Sequence, residues 1–320
     1  MPVQGRPRPW WRVQGGKASL AAGGIFFLTA SAQAACETTQ LADLPLTIAA
    51  GKLFIPATLN QAQESFILDT GASTTAISSD AAGRLSIPHD FDTAIHVSGV
   101  GGASSTLLIA QVDKLVLGRA GFAHQTWPII DMTAVTSGAT APAGLIGADV
   151  LRQFDVSIDV PAQRFALWRI AGCYGPPPPW PDAPPPVSVE LNPAGHIVVP
   201  LTVGMATVPA ILDTGAASFV MSLDAAYRAG VSDSALNADR RIEGVGVNDR
   251  RWTGHVHWFS SVEFGASRFT HVPAAIVPSA YALKNDSLAG AGALIGLSLL
   301  AHSRVWISYP THTLYIGPQR

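Results

Sequence analysis

Phe66-Ile67-Leu68-Asp69-Thr70-Gly71-Ala72-Ser73 recurs 144 residues later as Ala210-Ile211-Leu212-Asp213-Thr214-Gly215-Ala216-Ala217. In each copy a short apolar run, which reads as a buried strand, carries a carboxylate at its end. A glycine two residues further on lets the chain turn sharply there without a side-chain clash. The acid is thus presented at a strand-to-loop tip. An unpaired carboxylate in apolar surroundings either costs several kcal/mol or holds its proton. Two such acids in matching settings point to a pair.

The repeat extends well beyond these eight residues. At the same offset and without gaps, 14 of the 35 positions from Leu53 to Ile87 are identical to those from Ile197 to Val231, where roughly one in fifteen would match by chance in a chain of this composition. Later landmarks repeat as well. Gly99-Val100-Gly101 matches Gly244-Val245-Gly246, and Gly144-Leu145-Ile146-Gly147 matches Ala293-Leu294-Ile295-Gly296. The offset grows along the chain, as small loop insertions would produce, so one domain pattern is written twice.

An apolar pair before Asp-Thr-Gly-Ala, a Gly-rich hairpin some thirty residues on, then two apolar residues and a glycine: this order resembles the lobe of retropepsin-type aspartic proteases. From about residue 45 to 318 the chain is similar to bacterial aspartyl-protease-family proteins with two such lobes in tandem. The resemblance implies a mainly β fold, with two retropepsin-like β-barrel lobes forming a pseudo-two-fold, single-chain aspartic protease. It further implies that Asp69 and Asp213 are catalytic and that the Thr70 and Thr214 hydroxyls cross-link the two loops beneath them. The backbones of Gly71 and Gly215 would hold the pair level. Gly99, Val100, Gly101 and Gly102, with Gly244, Val245 and Gly246, would form flaps closing over a bound peptide. The residues alone leave an ordinary Gly-rich hairpin turn as the other reading of those stretches. Leu145-Ile146-Gly147 would cross behind the Asp69 loop, where a glycine permits close backbone approach.

The remaining pattern fits. Leu53–Leu59 and Glu64–Leu68 read as strands, and Ser78 and Ser222 are helix N-caps with Asp80 and Asp224 in the first turn. Two strands flank the glycines between Ile95 and Leu117, and Phe122–Ile130 follows. Phe154–Asp159 and Arg164–Trp168 close the first lobe as a hairpin. In the second lobe Trp252–Phe264, His271–Val277, Val305–Ser308 and Thr313–Ile316 are strands. His255 and His257 face the same way on one of them, but no further ligand stands at a metal-site spacing, so surface or core histidines are expected, with no metal or cofactor. No Gly-x-Ser-x-Gly, P-loop, dinucleotide fingerprint or zinc-type cysteine pair occurs.

Arg6, Arg8, Arg12 and Lys17 precede an apolar run from about Ala18 to Ala30 and then Ala32-Gln33-Ala34. Residues 1–34 therefore read as a secretory signal peptide cleaved after Ala34. The run is short of the roughly 20 residues of an ordinary membrane span, so a periplasmic or secreted protein is expected rather than an anchored one. Gln33 stands where a lipobox would have Leu, which argues against lipidation of Cys36. Only 13% of residues are charged and the net charge is −2, so nothing points to nucleic acid. The two cysteines, Cys36 and Cys173, suit one disulfide in an exported protein, closing the ends of the first lobe. Two unpaired buried thiols are the alternative. Residues 175–186 hold eight prolines and read as a semi-rigid spacer. The expected organisation is 35–172 for lobe one, 173–187 for the linker and 188–320 for lobe two.

Two departures from the wider group matter. Neither flap stretch has the tyrosine of pepsin-like enzymes, which favours the retropepsin-type reading. Ser73 and Ala217 stand where retroviral enzymes often carry a charge after Asp-Thr-Gly-Ala. The expected activity is that of an exported endopeptidase acting on polypeptides, as a monomer with intramolecular lobe pairing. The competing expectation is a catalytically inactive peptide-binding protein on the same fold, since fold alone does not establish function.

Overall fold

Asn60 and Gln61 join the two strands that lead to Asp69, and both take positive φ, 44° and 75°, as a tight hairpin requires. The computed structural model describes residues 36–98, 104–133, 141–171, 180, 182–245, 251–278 and 290–317. The expected signal peptide, Gly99, Val100, Gly101, Gly102, Gly246 and Cys173 lie outside them.

Chain order begins with β1 (Glu37–Pro45), β2 (Thr47–Ala49), β3 (Lys52–Leu59), β4 (Ala62–Leu68) and β5 (Ala76–Ser78). Helix α1 (Ser79–Arg84) comes next, then β6 (His89–Ser98), β7 (Ser104–Leu117), β8 (Ala120–Ile130), β9 (Gly144–Ile146) and helix α2 (Ala148–Leu151). A hairpin of β10 (Asp155–Asp159) and β11 (Arg164–Ala171) completes the first half. The sheet runs β2-β3-β4-β9-β5-β8-β7-β6, and β3 also pairs with β7, so six of its eight strands close into a barrel. Closure removes the unpaired edges that would otherwise invite aggregation.

The second half repeats this plan. It comprises β12 (Val187–Ser188), β13 (Glu190–Leu191), β14 (Ile197–Val203), β15 (Ala206–Leu212) and β16 (Val220–Ser222). Helices α3 (Leu223–Arg228) and α4 (Asp233–Ala238) precede β17 (Arg240–Val245), β18 (Arg251–Phe264) and β19 (Ser267–Val277). The end is β20 (Ala293–Ile295), a one-turn helix α5 (Leu297–Leu300), β21 (Arg304–Ser308) and β22 (Thr313–Ile316). The strand order is the same with each member replaced by its repeat, and β14 pairs with β18 as β3 does with β7. Helix α4 has no counterpart in the first half.

The helices start where the sequence says. Ser78 Oγ accepts from Ala81 N at 3.1 Å and Ser222 Oγ from Ala225 N at 3.2 Å, each cap contributing about 1 kcal/mol. Strands β4 and β15 are apolar without alternation at their ends because both faces are covered. Phe66 and Leu68 enter the main core, while Ile67 packs with Phe54 and Met132 on the other face. Ile211 does likewise with Leu294.

The closing hairpins do more than the sequence reading assigns to them. Strands β1, β11 and β10 of the first half join β21, β22 and β12 of the second in one six-stranded sheet, with β10 against β21 at its centre. Asp159 sits opposite Arg304 in that register and pairs with its Nε at 2.8 Å. Both lobes are therefore parts of one compact unit. Val187, at the end of the expected linker, is paired with Leu314. Trp180 lies under the Arg304 guanidinium, 4.9 Å from ring centroid to Cζ. Cys36 is engaged in a disulfide.

Candidate active site

Asp69 and Asp213 leave the ends of β4 and β15 in the same way. Asp69 N donates to Ile146 O and Asp213 N to Ile295 O, both at 3.0 Å. The strand behind each loop is thus the one paired in parallel with the strand that carries the acid, β9 with β4 and β20 with β15. Gly147 and Gly296 follow those strands. A Cβ on Gly147 would lie 2.6 Å from the Thr74 carbonyl carbon, and one on Gly296 would meet the Ala216 carbonyl oxygen at 2.7 Å. Only glycine lets the strand end pass so close to the loop.

Beneath the acids the loops are cross-linked. Thr70 Oγ1 donates to Leu212 O at 2.7 Å and accepts from Thr214 N at 3.0 Å. Thr214 Oγ1 donates to Leu68 O at 2.8 Å and accepts from Thr70 N at 3.0 Å. Both threonines are buried, so this four-bond square replaces water for six polar groups and locks lobe to lobe. Gly71 N and Gly215 N each donate to the Oδ1 of their own aspartate, at 3.0 and 2.9 Å. The two glycines have a second role that spacing alone does not reveal. A Cβ on Gly71 would collide with the Asp213 carboxylate, and one on Gly215 with that of Asp69. Each carboxylate lies over the opposite lobe's glycine, which brings the acids face to face.

Burial pushes the Asp69 carboxyl up to about 7, and the negative charge of Asp213 pushes the same way; Lys52 and the N–H groups of Gly71 and Ala72 pull it back. Asp213 is raised by burial too, against the pull of Lys52, the Gly215 and Ala216 N–H groups and His196. Such a pair titrates as a unit and holds one proton between its two steps.

The other sequence-derived candidates fall as follows. Gly244 and Val245 end β17, paired with Trp252 and Arg251 of β18. His257 Nδ1 is committed to Asp239 Oδ2 at 2.6 Å, and among the described residues no cluster of three or more His, Cys, Asp or Glu side chains could hold a metal.

Two groups of residues escaped the sequence reading. Asp149 Oδ1 accepts from Thr75 N at 2.8 Å and from Thr75 Oγ1 at 2.7 Å, while its Oδ2 accepts from Trp127 Nε1 at 3.1 Å. This brace stiffens the Asp69 loop from below. Its counterpart is Ser298, whose Oγ accepts from Phe219 N at 2.9 Å, so the two lobes solve one problem with different residues and the repeat gave no cue. The second group is Lys52 and His196, which stand at equivalent places in the repeat, at the start of β3 and just before β14. A basic residue in the same frame of both copies was the available signal.

Two closed barrels, a shared sheet and one Asp-Thr-Gly loop from each half define a two-lobed aspartic-protease fold. The family model for aspartyl protease matches residues 55–150 and 199–299, and the chain belongs to that family. Membership places it among protease-type hydrolases. No curated protein matches the chain.

Proposed function

We propose that the protein is an exported aspartic endopeptidase in which Asp69 and Asp213 activate water against a peptide bond. The observation that carries this reading is the meeting of two half-buried carboxylates, one per lobe, each over the other lobe's glycine. Like charges in that position do not both ionise at low cost, so one acid keeps a proton. The ionised acid takes a proton from a water molecule, whose oxygen adds to the scissile carbonyl carbon; the protonated acid donates to the carbonyl oxygen. Collapse of the resulting gem-diol breaks the C–N bond as the amine nitrogen takes up the proton from one acid and a gem-diol hydroxyl returns its proton to the other, re-forming the carbonyl and restoring the singly protonated pair. No covalent enzyme intermediate is needed. The stretches around Gly101 and Gly246 serve as flaps that grip the substrate backbone as an added strand. Export rests on the basic, apolar and Ala-Gln-Ala sequence of residues 1–34.

The test is digestion of a denatured protein at pH values from about 3 to about 8, on both sides of the range near 7 in which Asp69 loses its proton, with and without a statine inhibitor whose hydroxyl replaces the attacking water. Inhibitor-sensitive cleavage is expected. Its absence across the whole range would overturn the reading.

A further inference from the structure

Lys52 begins β3 in lobe one, yet its Nζ donates to the Gly215 carbonyl in the active loop of lobe two. Gly51, at φ 69°, brings this turn against the same loop, where a Cβ would stand 2.8 Å from Ala217 Cβ. A small residue at position 217 thus makes room for the turn. An ammonium fixed on the carbonyl of the glycine that underlies Asp69 sits beside both acids. It joins the two halves of the site at the level of the chemistry, above the threonine square.

The pseudo-symmetric mate behaves differently. His196 is buried. Asn192 Oδ1 already accepts from the N–H groups of Ala194 and His196, at 3.1 and 2.9 Å. The Asn192 amide nitrogen therefore donates to His196 Nδ1 at 3.1 Å, which holds the ring to its own lobe. Asp213, Lys52 and the Gly71 and Ala72 N–H groups act on Asp69, while Lys52, the Gly215 and Ala216 N–H groups and His196 act on Asp213. Lys52 is thus the basic side chain that acts on both acids.

Resting on the proposed proteolytic reading, we propose that Lys52 is a positioning residue for the dyad: it ties lobe one's β2–β3 turn to the Gly215 loop and, through its charge, holds the proton-sharing range of the pair at lower pH. Opposite charge favours the ionised form of a carboxyl, which agrees with the downward pull of Lys52 on both acids.

Three variants separate contact from charge. Lys52→Gln retains an amide N–H able to reach a carbonyl but has no charge, Lys52→Met has neither, and Lys52→Arg keeps both. The pH profile of kcat/KM on a peptide substrate should move upward at both limbs by on the order of one unit in the Gln and Met variants. Arg should leave the limbs in place. A merely structural lysine would lower activity at every pH without moving the limbs. Superimposable limbs for wild type and Lys52→Gln would overturn the inference. A second readout needs no turnover: the pH range over which Tm falls as the dyad loses its proton should also move upward in Lys52→Gln. Wild type that cleaves nothing while this Tm range still shifts would sink the proteolytic reading and leave the role of Lys52 standing. A Tm profile that does not shift counts against Lys52 whether or not the enzyme cleaves.

Discussion

At the scale of single residues, the defining fact is a carboxyl whose folded environment favours the proton. Asp69 is raised from an ordinary 3.8 to about 7, so the folded chain binds this proton more tightly than the unfolded one. Its contribution to stability is then complete below about pH 4 and is lost as pH rises through about 7, worth on the order of a few kcal/mol in total. Asp69→Asn removes that group. The variant should lose peptidase activity while its Tm becomes flatter with pH across that window, as followed by thermal melts from about pH 4 to about pH 8. An Asn variant with full turnover would refute the role given to Asp69, and one that unfolds outright would mean that the carboxyl serves structure rather than chemistry.

Among elements, each aspartate loop is held both by its own barrel and by the opposite loop. Thr70 Oγ1 satisfies a carbonyl at the end of β15 and an N–H of the opposite loop. Thr70→Val keeps the shape and removes both bonds, leaving the Leu212 carbonyl and Thr214 N–H buried without that partner. A loss of about 2–4 kcal/mol in denaturant unfolding is expected, with activity falling further than stability because the loop that carries Asp213 is no longer held. Losses below about 0.5 kcal/mol would show that water replaces the hydroxyl.

For the molecule as a whole, the shared sheet decides how the lobes meet. Five register pairs along β10 and β21, from Asp155 with Ser308 to Asp159 with Arg304, join halves that lie far apart in sequence. A chain that carries both partners at high effective concentration should pair with itself. Mixing Asp69→Asn with Asp213→Asn should therefore give no activity, and specific activity of the wild type should not change with dilution. Recovered cleavage in the mixture would point to exchange between molecules. Cys36 and Cys173, proposed as the bonded pair, stand in sequence just before β1 and just after β11. Their bond would close a loop of about 137 residues, and reduction should remove a few kcal/mol and lower Tm. Alkylation of two thiols in the native, unreduced protein would refute the pairing.

What the sequence determined by itself was whatever rests on local spacing. An apolar run, an acid and a glycine two residues on specify a strand that ends in a loop, and a second copy at a constant offset specifies a second lobe. The Ser78 and Ser222 caps, the β9 and β20 strands and the two Asp-Thr-Gly loops were legible for that reason. The tertiary structure alone decided which groups meet across the repeat. The closing hairpins read as lobe-sealing elements until β10 was seen to face β21. Gly71 read as a turn residue until the carboxylate of Asp213 was seen to occupy the space its side chain would fill. Lys52 drew no reading at all until its ammonium was seen on Gly215 of the other lobe. The physical reason is the same in each case. Backbone propensity and periodicity act over a few residues, whereas desolvation and charge act through space, so a chain that folds its halves together sets its chemistry by contacts more than 140 residues apart in sequence.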